Sequence, residues 1–238
     1  ISTLIIKLIP LIYKYAKIIQ NSFERTKKMN QPYLTIKEDG SFEQTIKKSQ
    51  FICCIFRIKN EEQAQEILAK QRSLHKKATH ICFAYMTGDQ DQIQRESDNG
   101  EPQGTAGVPI LEVLKANKIH DVLAIVIRYF GGIKLGAGGL IRAYSSSCAQ
   151  AIEAVGIVKR VIQTKVTITI EYPLWGKLQN FLTNEKIALL DTIYTDKIQA
   201  VICVDSDKLR DFKQKIMDLL AGNCLFDTGA DVLNYVQP

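Results

Sequence analysis

The stretch that decides the fold is residues 96–145, which read ESDNGEPQGTAGVPILEVLKANKIHDVLAIVIRYFGGIKLGAGGLIRAYS. Eight of the 14 glycines in the chain lie in this stretch. They concentrate in a first glycine loop, residues 98–107, and a second glycine loop, residues 128–139. Glycine is used where the backbone needs a positive φ or must come close to another group. The clustering therefore predicts a shaped surface between one helix–strand unit and the helix that follows it.

The second glycine loop follows an apolar, β-branched run at 122–127 and leads into an amphipathic helix predicted over about 139–155. In a strand–loop–helix arrangement, the free N–H groups at the helix start can face an anion. The spacing is neither that of a Walker A loop nor that of a dinucleotide-binding fingerprint. Two interpretations stay open. The glycines either permit only tight turns and close packing, or they help bind an anion such as an RNA phosphate.

The candidate binding residues combine positive charge, an aromatic ring and flexible backbone. The aromatic Tyr129 and its neighbour Phe130 could stack on RNA bases if they were exposed, although we expect Phe130 to be buried. A positive φ at Gly138 would make that position intolerant of a side chain. The predicted RNA- or anion-binding set is Arg128, Tyr129, Gly131, Gly132, Lys134, Gly136, Gly138, Gly139 and Arg142.

Two carboxylates in the first glycine loop, Asp98 and Glu101, could act as acid/base groups or metal ligands. We favour a structural role, in which they accept hydrogen bonds from backbone amides or pair with Arg128 or Arg142. His80 and Cys82 share one face of a predicted strand, and a structural histidine is favoured there over a Cys–His nucleophile. The sequence predicts no catalytic residue, no metal site and no cofactor.

The composition limits the kinds of partner. The formal charge of the 238-residue chain is +6, but residues 1–28 contribute a net +5 and residues 29–238 only +1, so any basic surface on the body must be local. The six cysteines form no C-x-x-C pair and lie mostly in apolar contexts. This indicates reduced thiols in a cytosolic protein, with no disulfide and no zinc site.

The first 28 residues, which begin ISTLIIKLIPLIYKYAKIIQ, contain a proline and three lysines in their apolar part. This pattern is poor for a membrane span and lacks the cleavage site of a signal peptide. We expect residues 1–28 to be a non-native or upstream-translated extension that is dispensable for folding. An amphipathic helix that lies on a membrane surface is the alternative.

Periodicity and turn residues predict two α+β domains, at 29–156 and 157–238. In the first, we expect two or three strands over 33–58, a helix capped by Asn60 that runs to residue 74, a strand over 80–87, and a long polar loop over 88–107. Pro109 would open a short helix that ends near residue 118. The second domain is predicted to follow the order β-α-β-β-α-β, which is the ferredoxin-like split βαβ arrangement.

The segments SDNGEPQGTAGVPIL and IRYFGGIKLGAGGLIRAYS together resemble the signature of the IMPACT/YigZ family. The segments KSQFICCIF, ATHICFAY and YPLWGKLQNFL fit the same family, so the resemblance covers about 29–238. Asn99 and Gln103 stand where the family usually has Asp and Ser. The resemblance implies an N-terminal α/β sandwich like those of ribosomal proteins and elongation factor G domain IV. It also implies a C-terminal ferredoxin-like domain similar to domain V of that factor.

Those relatives contact RNA or the ribosome. The resemblance therefore implies a cytosolic, non-enzymatic, translation-associated regulator that binds RNA, the ribosome or a translation factor. The alternative function is an enzyme, or a protein that binds a small anion or phosphate, using the paired glycine loops. The two alternatives differ in whether Asp98, Glu101, Arg128 and Arg142 converge on an open pocket.

Overall fold

The computed structural model describes residues 32–88 and 91–238, so the predicted extension at 1–28 lies outside the described residues. The described chain divides into two compact units. The first comprises Tyr33–Lys159 together with Tyr235–Pro238, and the second comprises Arg160–Asn234. Each unit contains its own sheet. The pairs β2–β3, β3–β6, β4–β5, β4–β6, β7–β9 and β8–β9 are antiparallel. The predicted α+β class with two sheet-containing units is confirmed.

The first unit is built on a five-stranded sheet with strand order β2-β3-β6-β4-β5. A short strand, β1, precedes it. The strands are β1 (Tyr33–Ile36), β2 (Gly40–Ile46), β3 (Ser49–Arg57), β4 (His80–Thr87), β5 (Ile93–Ser97) and β6 (Val122–Tyr129). The helices are α1 (Glu61–Leu74), α2 (Gly107–Ala116) and α3 (Ala137–Val155).

Helices cover both faces of this sheet. On one face, α2 and α3 pack with Cys53, Cys82 and Val126, whereas on the other face α1 packs with Phe83 and Ile125. The central strand β6 contributes alternate side chains to both clusters, and its residues 122–128 are all buried. A strand buried on both faces needs a continuous apolar run, which explains why the run at 122–127 predicts a strand.

The prediction of one long polar loop over 88–107 is wrong in one respect. This segment contains strand β5, which pairs with β4. The residues of β5 read IQRES, and the three central residues are exposed. An edge strand gains hydrogen bonds on one side only and can remain polar, so it lacks the hydrophobic alternation that reveals a strand.

Local sequence signals place the helices of the first unit. Asn60 accepts a hydrogen bond from the backbone N–H of Gln63 at 2.9 Å and caps α1, as predicted. Pro109 does not open α2, which begins two residues earlier at Gly107 and ends at Ala116. Proline is tolerated there because the first-turn N–H groups have no intrahelical acceptor. Helix α3 begins at Ala137, two residues before the predicted start.

The second unit follows the predicted order β-α-β-β-α-β. Its strands are β7 (Ile157–Ile170, which begins in the first unit), β8 (Leu189–Tyr194), β9 (Ile198–Asp205) and β10 (Leu225–Val236). A 3₁₀ turn, Tyr172–Leu174, leads into α4 (Trp175–Asn184), and α5 is Leu209–Leu219. Strand β10 pairs with β7, β7 pairs with β9 and β9 pairs with β8, and β1 also pairs with β7. Leu178 of α4 and Phe212 of α5 pack with Ile168 and Ile202 in a separate core.

Candidate functional site

The two glycine loops meet at one end of the first unit and line an open cavity of about 410 Å³. The first loop contributes Glu101 and Pro102, and the second loop contributes its segment from Lys134 to the start of α3. The complete lining is Thr79, His80, Glu101, Pro102, Arg128, Phe130, Lys134, Leu135, Gly136, Ala137 and Leu140. Of the four charged residues proposed to converge, Glu101 and Arg128 line this cavity, and Asp98 and Arg142 do not.

A buried ion pair forms the floor of the cavity. Nη1 of Arg128 donates to Oε1 of Glu101 at 2.6 Å, and the two residues are 4% and 8% exposed. Nη2 of Arg128 donates to Oγ of Ser49 at 3.3 Å. The hydroxyl of Tyr144 donates to the same Glu101 oxygen at 2.8 Å, and burial raises the pKa of this phenol, so it remains a donor. The predicted binding set requires Arg128 to contact a phosphate on the outer surface. Its burial and its pairing with Glu101 keep it from doing so.

Tyr144 is a member of this site that the sequence did not reveal. It lies on the buried face of α3, where its ring makes an edge contact with Phe51 at 5.5 Å between centroids. In the sequence, Tyr144 is one more apolar position at helical spacing. Only the fold shows that its hydroxyl points toward a carboxylate.

His80 and Cys82 lie on the same face of β4 and both contact the first glycine loop. Nδ1 of His80 lies 3.1 Å from the carbonyl oxygen of Asn99, which makes this nitrogen the donor and leaves Nε2 on the side of Glu101, 3.8 Å from Oε1. The thiol of Cys82 donates to the carbonyl oxygen of Asp98 at 2.9 Å. Burial raises the pKa of Cys82 to about 12, so the residue is a protonated structural thiol rather than a nucleophile.

Asp98 holds the first glycine loop against the start of α2. Its carboxylate accepts hydrogen bonds from the backbone N–H groups of Gly104 at 2.7 Å, Ala106 at 2.9 Å and Gly107 at 2.8 Å. Burial raises the pKa of Asp98, but the three N–H donors together outweigh burial and hold that pKa below its ordinary value of 3.8. Asp98 is thus a helix cap, and this role requires no arginine partner.

Asn99, which replaces an acidic residue of the family pattern, has a φ of 40°. Asparagine tolerates this left-handed region better than most residues do. Its contribution is made by the backbone, since its carbonyl oxygen meets His80 and its N–H donates to Oγ of Ser97 at 3.2 Å. These two contacts are made by the backbone and do not depend on which side chain stands at position 99.

The start of α3 forms the opposite wall of the cavity. Gly136 is the N-cap with a φ of 73°, and among the described residues no side chain caps the helix. The first intrahelical bond runs from Leu140 N–H to the carbonyl of Gly136 at 2.9 Å. Helix geometry leaves the N–H groups of the three residues before Leu140 without an intrahelical acceptor. Gly138 lies inside this first turn and is not among the positive-φ glycines, so the expected positive φ belongs to Gly136 instead.

The other residues of the predicted set have different surroundings. Lys134 and Arg142 are exposed and form no ion pair within residues 32–88 and 91–238. Tyr129 is half-buried, and its hydroxyl lies 2.9 Å from Nδ1 of His75. Gly131 is pressed against the backbone of Lys48, whereas Gly132 and Gly139 have solvent on at least one side.

The prediction that Phe130 is buried is wrong, because the residue is 46% exposed. The sheet ends at Tyr129, and the next residue turns away from the core. The backbone N–H of Phe130 donates to Oγ1 of Thr79 at 3.0 Å, and its ring lies 5.4 Å from Cζ of Arg128. The ring therefore stands at the rim of the cavity.

The part of the chain that the structure describes contains no group of three or more His, Cys, Asp or Glu residues that could hold a metal ion. Within the same residues, no helix is long and apolar enough to cross a membrane. The six cysteines are free thiols, and four of them are buried.

Together, these features define a two-unit α+β protein with a ligand-sized cavity between two glycine loops of its first unit. Residues 47–152 match the Impact N-terminal domain, and residues 168–223 match a domain of unknown function, DUF1949. The chain is 42% identical over 190 residues to the IMPACT family member YvyE of Bacillus subtilis (strain 168), which covers 80% of this chain and 88% of that protein.

It is also 31% identical over 180 residues to the IMPACT family member YigZ of Escherichia coli (strain K12), covering 75% of this chain and 88% of that protein. The crystal structure of a hypothetical protein superposes with a TM-score of 0.54 at 29% identity, covering 82% of this chain and 96% of that one. The chain belongs to the IMPACT family, in the bacterial two-domain type represented by YigZ and YvyE. The resemblance read from the sequence is confirmed.

Proposed function

We propose that this chain is a cytosolic, non-enzymatic regulator associated with translation, and that it binds RNA, as an isolated strand or on the ribosome. One observation carries the proposal. The exposed cations Lys134 and Arg142 flank the uncapped start of α3, beside the exposed ring of Phe130. We call this surface the α3 face.

Each component of the α3 face suits a strand of RNA. The positive end of a helix dipole and its free N–H groups attract phosphates. Lysine and arginine add charge that no carboxylate of the described residues neutralises in an ion pair. An exposed aromatic ring offers a stacking surface for an unpaired base. The buried ion pair beneath keeps this surface fixed in shape.

The proposed likeness of the two units to domains of elongation factor G supports the same function. The order β-α-β-β-α-β of the second unit, with strand order β10-β7-β9-β8, is that of a ferredoxin-like domain. The first unit, a sheet with helices on both faces, suits the proposed likeness to elongation factor G domain IV. We propose functional domains at 29–156 and 157–238, with 1–28 as an extension outside them.

The proposal is tested by co-sedimentation of the full chain with purified ribosomes and by RNA affinity at two salt concentrations. The double variant Lys134→Ala/Arg142→Ala should bind several-fold more weakly, and about equally so for different RNA sequences, because phosphate contacts carry no base identity. The matched control is Lys70→Ala/Arg72→Ala on α1, which removes the same charge from the opposite face of the sheet. Equal binding by the two double variants would overturn the proposal.

A further inference from the structure

The cavity beneath the α3 face has an anion-binding end. Gly136 and Ala137 bring the uncapped start of α3 to the cavity wall, and Lys134 lines the cavity beside them. The backbone N–H of Ala137, which has no intrahelical acceptor, and the side chain of Lys134 belong to this end of the cavity. A phosphomonoester suits the free N–H groups of a helix start combined with a lysine.

The opposite end of the cavity offers a hydrogen-bond acceptor. Arg128, Tyr144 and His80 all approach Oε1 of Glu101, at 2.6, 2.8 and 3.8 Å. The other oxygen, Oε2, accepts no hydrogen bond from the described residues, although the side chain is only 3% exposed. Oε2 is not fully buried, so it opens into the cavity that Glu101 lines. A ligand with a hydroxyl or amino group can donate to it there.

The walls between these two ends are apolar. Pro102 and Leu135 come from the two glycine loops, Leu140 comes from α3, and the ring of Phe130 stands at the rim. The guanidinium of Arg128 lies 5.4 Å from that ring and helps to fix its position. Apolar walls of this kind suit an aromatic ring system. The volume of about 410 Å³ lies in the range of small-molecule sites.

We infer that this cavity binds a nucleoside 5′-monophosphate unit. Its phosphate lies at the start of α3 beside Lys134, its base packs against Phe130 and Pro102, and a ribose hydroxyl or base amino group donates to Oε2 of Glu101. The unit comes either from a free nucleotide or from the 5′-phosphorylated end of an RNA strand. This inference deepens the proposed function and, for the RNA source, rests on it.

The test is calorimetric titration of the full chain with uridine 5′-monophosphate, uridine and inorganic phosphate. A second titration compares one short RNA with and without a 5′-phosphate. We expect the monophosphate to bind at least about tenfold more tightly than uridine or inorganic phosphate, because only it occupies both ends of the cavity. If the RNA end is the source, the 5′-phosphate should strengthen binding by a similar factor. If a free nucleotide is the source, only the mononucleotide should show this preference.

Three variants locate the bound unit. Lys134→Ala and Phe130→Ala change exposed side chains and should each weaken monophosphate binding about tenfold, whereas Arg72→Ala should leave it unchanged. Glu101→Gln should weaken binding of the monophosphate but not of inorganic phosphate, which does not reach the acceptor end. Thermal melting shows which variants are folded. If Glu101→Gln does not fold, Lys134→Ala and Phe130→Ala alone test where the monophosphate binds.

The failures of the two proposals are distinguishable. If RNA binds through the α3 face with no preference for a 5′-phosphate and the mononucleotide does not bind, the cavity inference is overturned and the proposed function stands. If the mononucleotide binds in the cavity while RNA and ribosomes do not bind, the cavity inference stands and the proposed function falls. Equal binding of inorganic phosphate and the monophosphate would also overturn the inference.

Discussion

Arg128 and Glu101 form an ion pair that both glycine loops enclose, and its burial makes each partner dependent on the other. Removing one partner from a buried pair leaves the remaining charge unpaired, whereas replacing both with apolar groups removes that penalty. Arg128 also spans from the first glycine loop to Ser49 at the start of β3. The pair therefore joins three segments that are distant in sequence.

We predict that Arg128→Met destabilises the chain by about 3 kcal/mol, and that Arg128→Met/Glu101→Leu costs clearly less than the sum of the two single changes. Urea unfolding followed by far-UV circular dichroism measures these differences, and hydrogen exchange of the β6 amides shows whether the loss lies in the first unit. The control is Arg72→Met at an exposed position of α1. Additive costs in the double variant would show that the two side chains are not energetically coupled.

Gly131 and Gly138 lie seven residues apart in the second glycine loop region and have opposite surroundings. A Cβ at Gly131 would lie 1.9 Å from the carbonyl oxygen of Lys48, whereas a Cβ at Gly138 meets only the flexible end of Arg142 at 3.9 Å. We predict that Gly131→Ala destabilises the chain by about 1–3 kcal/mol, because backbone must move. Gly138→Ala should be neutral or stabilising by up to about 1 kcal/mol, because alanine favours the helix. Thermal melting of the two variants side by side checks this, and similar melting points would contradict the close approach at Gly131.

Among the elements, α2 depends on a cap that lies nine residues before its first residue. Asp98 accepts hydrogen bonds from the N–H groups of Ala106 and Gly107, where a local Ser, Thr, Asp or Asn would usually serve. The carboxylate also complements the positive end of the helix dipole. The first glycine loop and α2 therefore form one folding element.

We predict that Asp98→Ala destabilises the first unit by about 2 kcal/mol at neutral pH. The pKa of Asp98 is lower in the folded chain than its ordinary value of 3.8. Its contribution is therefore fully present above that value and is lost as the pH falls through it toward the folded pKa. The measurement is urea unfolding of wild type and Asp98→Ala from pH 7 down to pH 3. A difference between them that stays constant over this range would show that the charge of Asp98 is not the cause.

The elements that could be predicted are those whose signal is local. The continuous apolar run of β6 and the side-chain cap of α1 at Asn60 both appear in the sequence as they do in the fold. Strand β5 could not be found, because an exposed edge strand carries no apolar alternation. Contacts between residues far apart in the sequence carry no local signal. The sequence therefore places Glu101 and Arg128 among the candidates but does not show that Tyr144, 43 residues beyond Glu101, completes their cluster.

For the whole molecule, the distribution of charge limits how RNA can bind. The 25 Lys and Arg residues of 29–238 are nearly balanced by 24 Asp and Glu residues, whereas residues 1–28 carry a net charge of +5. A general electrostatic attraction would therefore come mainly from residues 1–28, and we expect binding to the body to depend on a local group of cations such as that of the α3 face. The dependence of affinity on salt separates these two contributions, because each phosphate contact releases counterions.

We predict that a protein that starts at Met29 binds single-stranded RNA with a shallow salt dependence. With Lys134 and Arg142 as the phosphate contacts, the slope of log K against log salt should be about −1.4. The variant Lys134→Ala/Arg142→Ala of the same shortened protein should have a slope near zero, whereas Lys70→Ala/Arg72→Ala should keep the original slope. The full chain should show a steeper slope because residues 1–28 add contacts that are not specific to the α3 face. Fluorescence anisotropy with one labelled RNA at four salt concentrations measures all four slopes. A steep slope in the shortened protein, or one that the α3-face variant leaves unchanged, would show that RNA is held by other cations of the body.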